Sequence, residues 1–338
     1  MLFDRITAFF SALLTLAGSF LGISSNTIKK EENFRVTTYI VGSYVQTEDS
    51  LHSEDFDIVT DVIVFGCATF DNEGNVNIEK DTLSVALKNI RNAIGDRDIR
   101  ITLNILGPGG QTDSTVWEDQ MDVQSEEHNK AFNSGVLEDN ILAVLEEYDF
   151  DGVHFDYEYP LSLKAWRNFN KFIVSFDKKS GDYTIGIAAS DWNLKFSTKA
   201  LAAIDTIELM LYDMIDENGR HSTYEHTVKL AGKTGLHGIP LEKVNLGLPF
   251  YSRPTDLDAY WYDYRSFHSQ IDADGWYHCE DTDKDFWFNT TEVIKNKTEY
   301  AINNGFGGVM MWHYTCDLPS TQDGSLLKAI NTAVKNNY

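Results

Sequence analysis

Cysteine is nearly absent: Cys67, Cys279 and Cys316 are the three in 338 residues, and none belongs to a CxxC pair. That excludes a zinc ribbon, and an odd count leaves at least one thiol free. Buried thiols are the simplest reading, since free cysteine behaves as a small hydrophobe. Basic residues are also few. Lys and Arg total 28 against 52 Asp and Glu, a formal net charge of −24. So acidic a surface repels phosphate backbones and argues against nucleic acid as a partner, while it suits a neutral ligand. A phosphate-binding glycine loop is missing too. Gly107-Pro108-Gly109-Gly110 follows an apolar run but lacks GxGxxG spacing. There is no internal repeat and no low-complexity linker. Beyond the N-terminus no run is long and apolar enough to span a bilayer.

What is present begins with that N-terminus. Met1–Arg5 precedes an uncharged run from Ile6 to Asn26 carrying Phe9, Phe10, Leu13, Leu14, Leu16, Phe20 and Leu21, with Gly22, Ser24 and Ser25 crowding its end. The pattern predicts an export signal and a secreted protein; a retained membrane anchor or an amphipathic helix is the alternative. Residues 1–33 are read as this leader plus a linker, and residues 34–338 as one domain. Aromatic residues reach 13%. Tyr and Trp pair an apolar face with a polar tip, which suits sugar stacking and core packing equally.

Eight short apolar runs follow: Val36–Val45, Ile58–Phe65, Ile99–Leu106, Gly152–Phe155, Tyr183–Ala189, Thr206–Tyr212, Val244–Pro249 and Gly307–Trp312. Most are rich in β-branched residues and bounded by Gly, Asp, Asn or Pro, as buried strands are. Between them lie amphipathic patterns at Thr82–Ile94, Phe132–Leu145, Ala165–Phe176 and Thr290–Ile302, and Leu326–Val334 closes the chain. Helices alternating with buried strands imply parallel β/α units, and eight of them fit a closed (β/α)8 TIM barrel of the α/β class. The segment Tyr251–Phe288, acidic and aromatic, is a short insertion between strands 7 and 8. Its Trp261, Trp276 and Trp287 are either sugar platforms or parts of a small core of its own.

The sharpest feature is Asp149-Phe150-Asp151-Gly152-Val153-His154-Phe155-Asp156-Tyr157-Glu158-Tyr159-Pro160. Strand alternation puts His154, Asp156 and Glu158 on one face and Val153, Phe155 and Tyr157 on the other. The outer face of a barrel strand packs on helices, so the polar set points inward. Ionisable groups there are costly unless they bond to one another. One carboxylate beside another has its pKa raised, so it can hold a proton near neutral pH. Glu158, nearest the strand's C-terminal end, is the expected proton donor. Asp156 lies one layer deeper, and His154 below it is expected to bond Asp156.

This segment resembles the fourth-strand signature DGxDxDxE of family 18 glycoside hydrolases, the chitinase family, through Asp151, Gly152, Asp156 and Glu158. Other strands are similar in order. Met210-Leu211-Tyr212-Asp213 resembles the sixth-strand Met-x-Tyr-Asp, Asn245–Tyr251 the seventh strand, and Gly307–Trp312 the eighth; Thr102–Gly107 loosely resembles the third. The resemblance spans roughly residues 34 to 317. It implies substrate-assisted hydrolysis with retention, in which the substrate's 2-acetamido oxygen attacks the anomeric carbon. Glu158 would protonate the leaving oxygen and then act as base on water. Asp156 would orient the acetamido N–H, and Tyr212 would donate to the acetamido carbonyl. Asp213, Tyr251 and His154 would bind the sugar and Trp312 would floor it. The chain departs from the pattern at His154, where family members usually carry Asp, and at Pro108 after the third strand.

The reading is therefore a hydrolase of β-1,4-linked N-acetylglucosamine, acting on chitin or chitooligosaccharides. The alternatives are an endoglycosidase of N-glycans, a peptidoglycan hydrolase, or a non-catalytic sugar-binding relative. No metal constellation and no cofactor are implied: His221, His226 and His237 read as solvated rather than as ligands. Asn289-Thr290-Thr291 and Asn296-Lys297-Thr298 are glycosylation sequons in a eukaryotic host.

Overall fold

A computed structural model of the protein describes residues 34–256 and 260–337, so the N-terminal leader lies outside the described residues. The apolar runs form the strands β1 Arg35–Val41, β2 Asp61–Phe65, β3 Arg100–Leu106, β4 Gly152–Asp156, β5 Thr184–Ser190, β6 Thr206–Met210, β7 Val244–Pro249 and β8 Gly308–Trp312. Each pairs in parallel with the next, and β8 pairs back onto β1. The sheet thus closes into the barrel expected from the alternation of elements. Closure leaves no strand edge of the ring unpaired.

Helices α1 Lys80–Ile94, α2 Trp117–Phe132, α3 Leu137–Tyr148, α4 Leu163–Ser180, α5 Thr198–Ala203, α6 Tyr224–Thr234, α7 Thr291–Asn303 and α8 Leu326–Asn337 surround it. Their apolar stripes explain why. In α1, Leu83, Ala86, Leu87, Ile90 and Ile94 recur at three- and four-residue spacing and are buried. Ser162 caps α4 by accepting from the Ala165 N–H, and Thr290 caps α7 through Val293, each satisfying an orphan donor of the first turn. One expectation is revised. The pattern read as running on from Phe132 to Leu145 is two helices, because Gly135 takes φ +80 and turns the chain between α2 and α3.

Two apolar regions result. A large one lies between the strands' outer faces and the helices. A small one, Tyr39, Ile63 and Met310 with Phe65, Tyr212 and Trp312 against it, fills the barrel. Toward the strands' N-terminal ends the interior turns polar. There Glu208 is buried and accepts from Asn245 Nδ2 at 2.8 Å, while Asn245 also donates to Thr37 Oγ1 at 3.2 Å. Strand register sets His154 beside Gly186. A Cβ at position 186 would sit 2.5 Å from His154 Cδ2, so only glycine leaves room for the ring.

Burial pushes the Glu208 carboxyl from its ordinary 4.5 up to about 8. The unfolded chain loses that proton near 4.5 and the folded chain keeps it to about 8, so this group's contribution to stability falls as pH rises between the two. Glu208→Gln keeps the shape and removes the titration. Relative to the parent protein, E208Q gains thermal stability progressively from pH 4.5 to 8 in scanning calorimetry. A difference that stays flat over the window would show that Glu208 is already ionised in the fold.

Candidate active site

The site is built at the C-terminal ends of the barrel strands, starting from β4. Phe155 points outward, its ring edge-on to Phe172 and Phe176 of α4 at 5.3 and 5.7 Å. Its neighbours His154 and Asp156 therefore point inward. Asp156 ends the strand, and its carboxyl hydrogen-bonds that of Glu158 two residues on. Burial first, and the charge of Glu158 second, push the Asp156 carboxyl well above the usual range. Two carboxyl groups in contact cannot both ionise cheaply, so the pair retains a proton. Glu158 itself is half-buried at the rim.

His154 is placed deeper and is only 1% exposed. Its Nδ1 lies 3.2 Å from Asn104 Nδ2 on β3, and its Nε2 lies 3.4 Å from Tyr39 Oη on β1. An amide nitrogen can only donate, so Nδ1 accepts and the ring proton resides on Nε2, facing Tyr39. The expected His154–Asp156 bond does not form. Residues two apart on a strand are about 6.6 Å apart along it, and the imidazole finds nearer partners across the barrel. Burial lowers its pKa to about 3, so the ring is neutral.

Tyr212 follows β6 and lies over Gly247 of β7; a Cβ at 247 would approach Tyr212 Cε1 to 2.9 Å. Burial first, then the charges of Glu158 and Asp156, hold its hydroxyl well above the ordinary tyrosine value and keep it a donor. Trp312 ends β8 and is half-buried, edge-on to Phe65 at 4.9 Å and to Tyr39 at 5.1 Å. Tyr212, Trp312 and Phe65 all pack on the barrel-filling cluster, which brings them over one centre.

Asp213 adopts φ +64 and is the hub of a separate bonding set. Tyr251 Oη donates to its Oδ1 at 2.6 Å, and Arg253 grips it twice, Nε to Oδ1 at 2.5 Å and Nη2 to Oδ2 at 2.9 Å. Burial raises this carboxyl, but His221, Arg253 and Tyr251 around it outweigh that and hold it well below the usual range. Arg253 was not foreseen from the sequence. Its position two residues beyond Tyr251, hence on the same side of an extended segment, was the available signal. His221, expected to be solvated, is fully buried, because its ring turns inward against Asp213 and Tyr251. Asn289 is also buried, with its amide bonded to Lys297 and His221, so that sequon presents no free side chain.

Of the insertion's tryptophans, Trp287 serves packing, while Trp261 and Trp276 stay half-buried and Trp261 lies edge-on to Tyr251 at 5.3 Å. The insertion's hairpin Trp276–Cys279 with Lys284–Trp287 carries a core in which Tyr262 stacks on Phe286 at 4.6 Å and on Phe267 at 4.5 Å. Trp287 is 6% exposed and donates its indole N–H to Asp274. Exposed rings lie elsewhere. Trp117 is 42% and Trp192 39% exposed, with ring centroids 6.0 Å apart, and Tyr159 lies 5.2 Å from Trp192. They belong to the segments after β3, β4 and β5. Trp117 opens a helix poor in apolar residues, which is why its sequence drew no attention.

Residues 28–317 match the family described as glycosyl hydrolases family 18. Endochitinase 1 of Metarhizium anisopliae is 22% identical over 236 residues, covering 54% of this chain and 55% of the relative, so the match spans about half of that protein. A family 18 chitinase from the chitin utilization locus of Flavobacterium johnsoniae superposes with a TM-score of 0.69 at 23% identity, covering 90% of this chain and 94% of that one. A class V chitinase mutant from Nicotiana tobaccum, solved in complex with NAG4, gives 0.66 at 16% identity, covering 89% and 99%. At these identities the two structures speak to the fold.

The Asp213 set yields a direct test. Arg253→Met removes the bidentate partner and leaves burial dominant, so the Asp213 carboxyl rises toward or above the ordinary range. Carbon-13 NMR titration of labelled aspartates, with Asp213 identified by difference against Asp213→Asn, reads the shift. An unchanged titration would show that Tyr251 and His221 alone hold the charge.

Proposed function

Since the chain belongs to glycosyl hydrolases family 18, a family of glycoside hydrolases, we propose that it cleaves β-1,4-linked N-acetylglucosamine oligomers by a retaining, substrate-assisted route. The observation that carries this is the hydrogen-bonded Asp156–Glu158 pair at the mouth of a closed barrel, with Tyr212 and Trp312 at the same opening. Glu158 gives its proton to the glycosidic oxygen as the C–O bond breaks. The acetamido oxygen of the sugar on Trp312 bonds to the anomeric carbon and forms a cationic oxazolinium. Asp156 accepts the acetamido N–H and opposes the positive charge, and Tyr212 directs its hydroxyl to the acetamido oxygen. Glu158, now a carboxylate, takes a proton from water, whose oxygen opens the oxazolinium from the face that the leaving group vacated.

The neighbouring acids fit this division of labour. Asp213 is committed to Arg253 and Tyr251, so it serves as a fixed ligand for sugar hydroxyls rather than as a nucleophile. His154, closed off below, supports the site without touching sugar. The rings of Trp117, Tyr159 and Trp192 extend the opening beside Glu158. The relatives' names, endochitinase and chitinase, and the NAG4 in one of them favour chitin-type oligomers over N-glycans or peptidoglycan. The uncharged N-terminal run supports export, and N-terminal sequencing of protein recovered from the medium tests it: a mature chain beginning near residue 26 is expected, and an intact Met1 in the cell fraction overturns it.

For the activity, chitotetraose turnover followed by mass spectrometry is the direct assay, with an N-glycoprotein and peptidoglycan as comparison substrates. Glu158→Gln should lower kcat by about 10²–10⁴-fold, the range of a lost general acid, while oligomer binding survives. A parent protein that binds chitotetraose without cleaving it would make the chain a sugar-binding relative instead.

A further inference from the structure

Linked to Asp213 through a short chain of hydrogen bonds is a buried lysine that the proposed chemistry does not use. Lys297 of α7 is 0% exposed. Its Nζ donates to the Ser222 carbonyl at 2.6 Å and to Asn289 Oδ1 at 2.6 Å. Among the described residues no carboxylate forms an ion pair with it, and only the charge of Glu225 on α6 favours its charged form. Burial pulls its pKa down to about 7. An apolar side chain of equal length would fill this place without the desolvation penalty. What the ammonium does here is tie two segments together.

Those segments lead to Asp213 in a few steps. Asn289, gripped by Lys297, donates through Nδ2 to the His221 carbonyl at 3.1 Å. Ser222, whose carbonyl Lys297 also holds, has φ +50 and donates its N–H to Met214 O at 2.7 Å. His221 pairs with Ile215 in an isolated antiparallel bridge, so the chain from Asp213 to Ser222 is pinched at its base. Both carbonyls at that pinch, 221 and 222, are thereby fixed from α7. The His221 ring is then set against Asp213, whose backbone N–H donates to Nε2 at 3.2 Å. Asp213 itself holds a left-handed φ of +64, a conformation that persists in a non-glycine residue only where its surroundings dictate it.

We propose that Lys297 is a positioning residue for Asp213, holding the sugar-binding carboxylate in place through Ser222, Asn289 and His221. The role in sugar binding rests on the reading of Asp213 given above; the positioning itself does not. Lys297→Met keeps the length of the side chain and removes both bonds. If Asp213 contacts the sugar equally before and during reaction, its misplacement raises KM and spares kcat. The expected result is a rise of about tenfold in the KM for chitotetraose, within the usual coupling between linked residues. Combined with Asp213→Asn, the lysine substitution adds no further rise, because its effect passes through the residue already lost. Asn289→Ala cuts the same link at its middle and gives the same KM effect should K297M fail to fold.

A merely structural lysine would instead lower the amount of folded enzyme, leave KM alone and add its effect to that of Asp213→Asn; either additivity or an unchanged KM overturns the proposal. A crystal structure of K297M, or of N289A, decides without any sugar. The His221 ring and the Asp213 carboxylate should have left their positions against Tyr251 Oη, and an unmoved carboxylate overturns the proposal. If the parent protein neither binds nor cleaves chitotetraose, the substrate reading fails, while these coordinates still decide the positioning.

Discussion

A closed parallel sheet has a single interior, and each side chain that alternation sends there must find its partner within that ring. This constraint organises the whole molecule. Lower down it is met by amides and hydroxyls around Glu208, halfway by the Tyr39–His154–Asn104 contacts, and at the top by one carboxyl bonding another. Only at the top does the arrangement leave a proton within reach of anything outside. The carboxyl pair is thus the last inward level of a stack whose lower levels bond mainly among themselves.

The opening divides into two electrostatic regimes, one at the end of β4 and one just after β6. On β4 Asp156 is desolvated and crowded by Glu158, which favours its protonated form. After β6 the acid is surrounded by donors and a guanidinium, which favours the ionised form. Equal chemistry at the level of residue type becomes opposite chemistry through surroundings. In the function proposed above the two would divide the work, the pair serving the departing oxygen and Asp213 the hydroxyls.

The barrel was legible because its evidence is redundant. Eight apolar runs, alternating with amphipathic stripes, leave little choice of architecture, and the inward set His154, Asp156 and Glu158 follows from a period of two. What escaped the sequence was whatever depends on distant partners. The partner of His154 could not be read, since Asn104 and Tyr39 come from other strands and only closure brings them across the ring. His221 passed for a solvated residue because nothing local reveals that α7 sends a lysine behind it. Trp117 and Trp192 sit in segments of mixed composition, whereas the tryptophan-rich insertion spends Trp287 and most of its other aromatic rings on its own core. Gly186 and Gly247 carry the same lesson, as each makes space for a side chain remote in sequence.

The imidazole at position 154 also determines how the carboxyl pair is replenished. Its Nδ1 is occupied by an amide and its Nε2 hydrogen faces a phenol, so it offers the acids above no vacant lone pair and no labile ionic state near neutrality. The floor beneath Asp156 is therefore sealed to proton traffic. Every hydrogen ion that the pair gives up must be recovered from solvent through the mouth, on the same route by which saccharide arrives and departs. On the proposed route that hydrogen ion comes with the hydrolytic water, once the leaving group has cleared the mouth, so the acid would be restored within the same turnover.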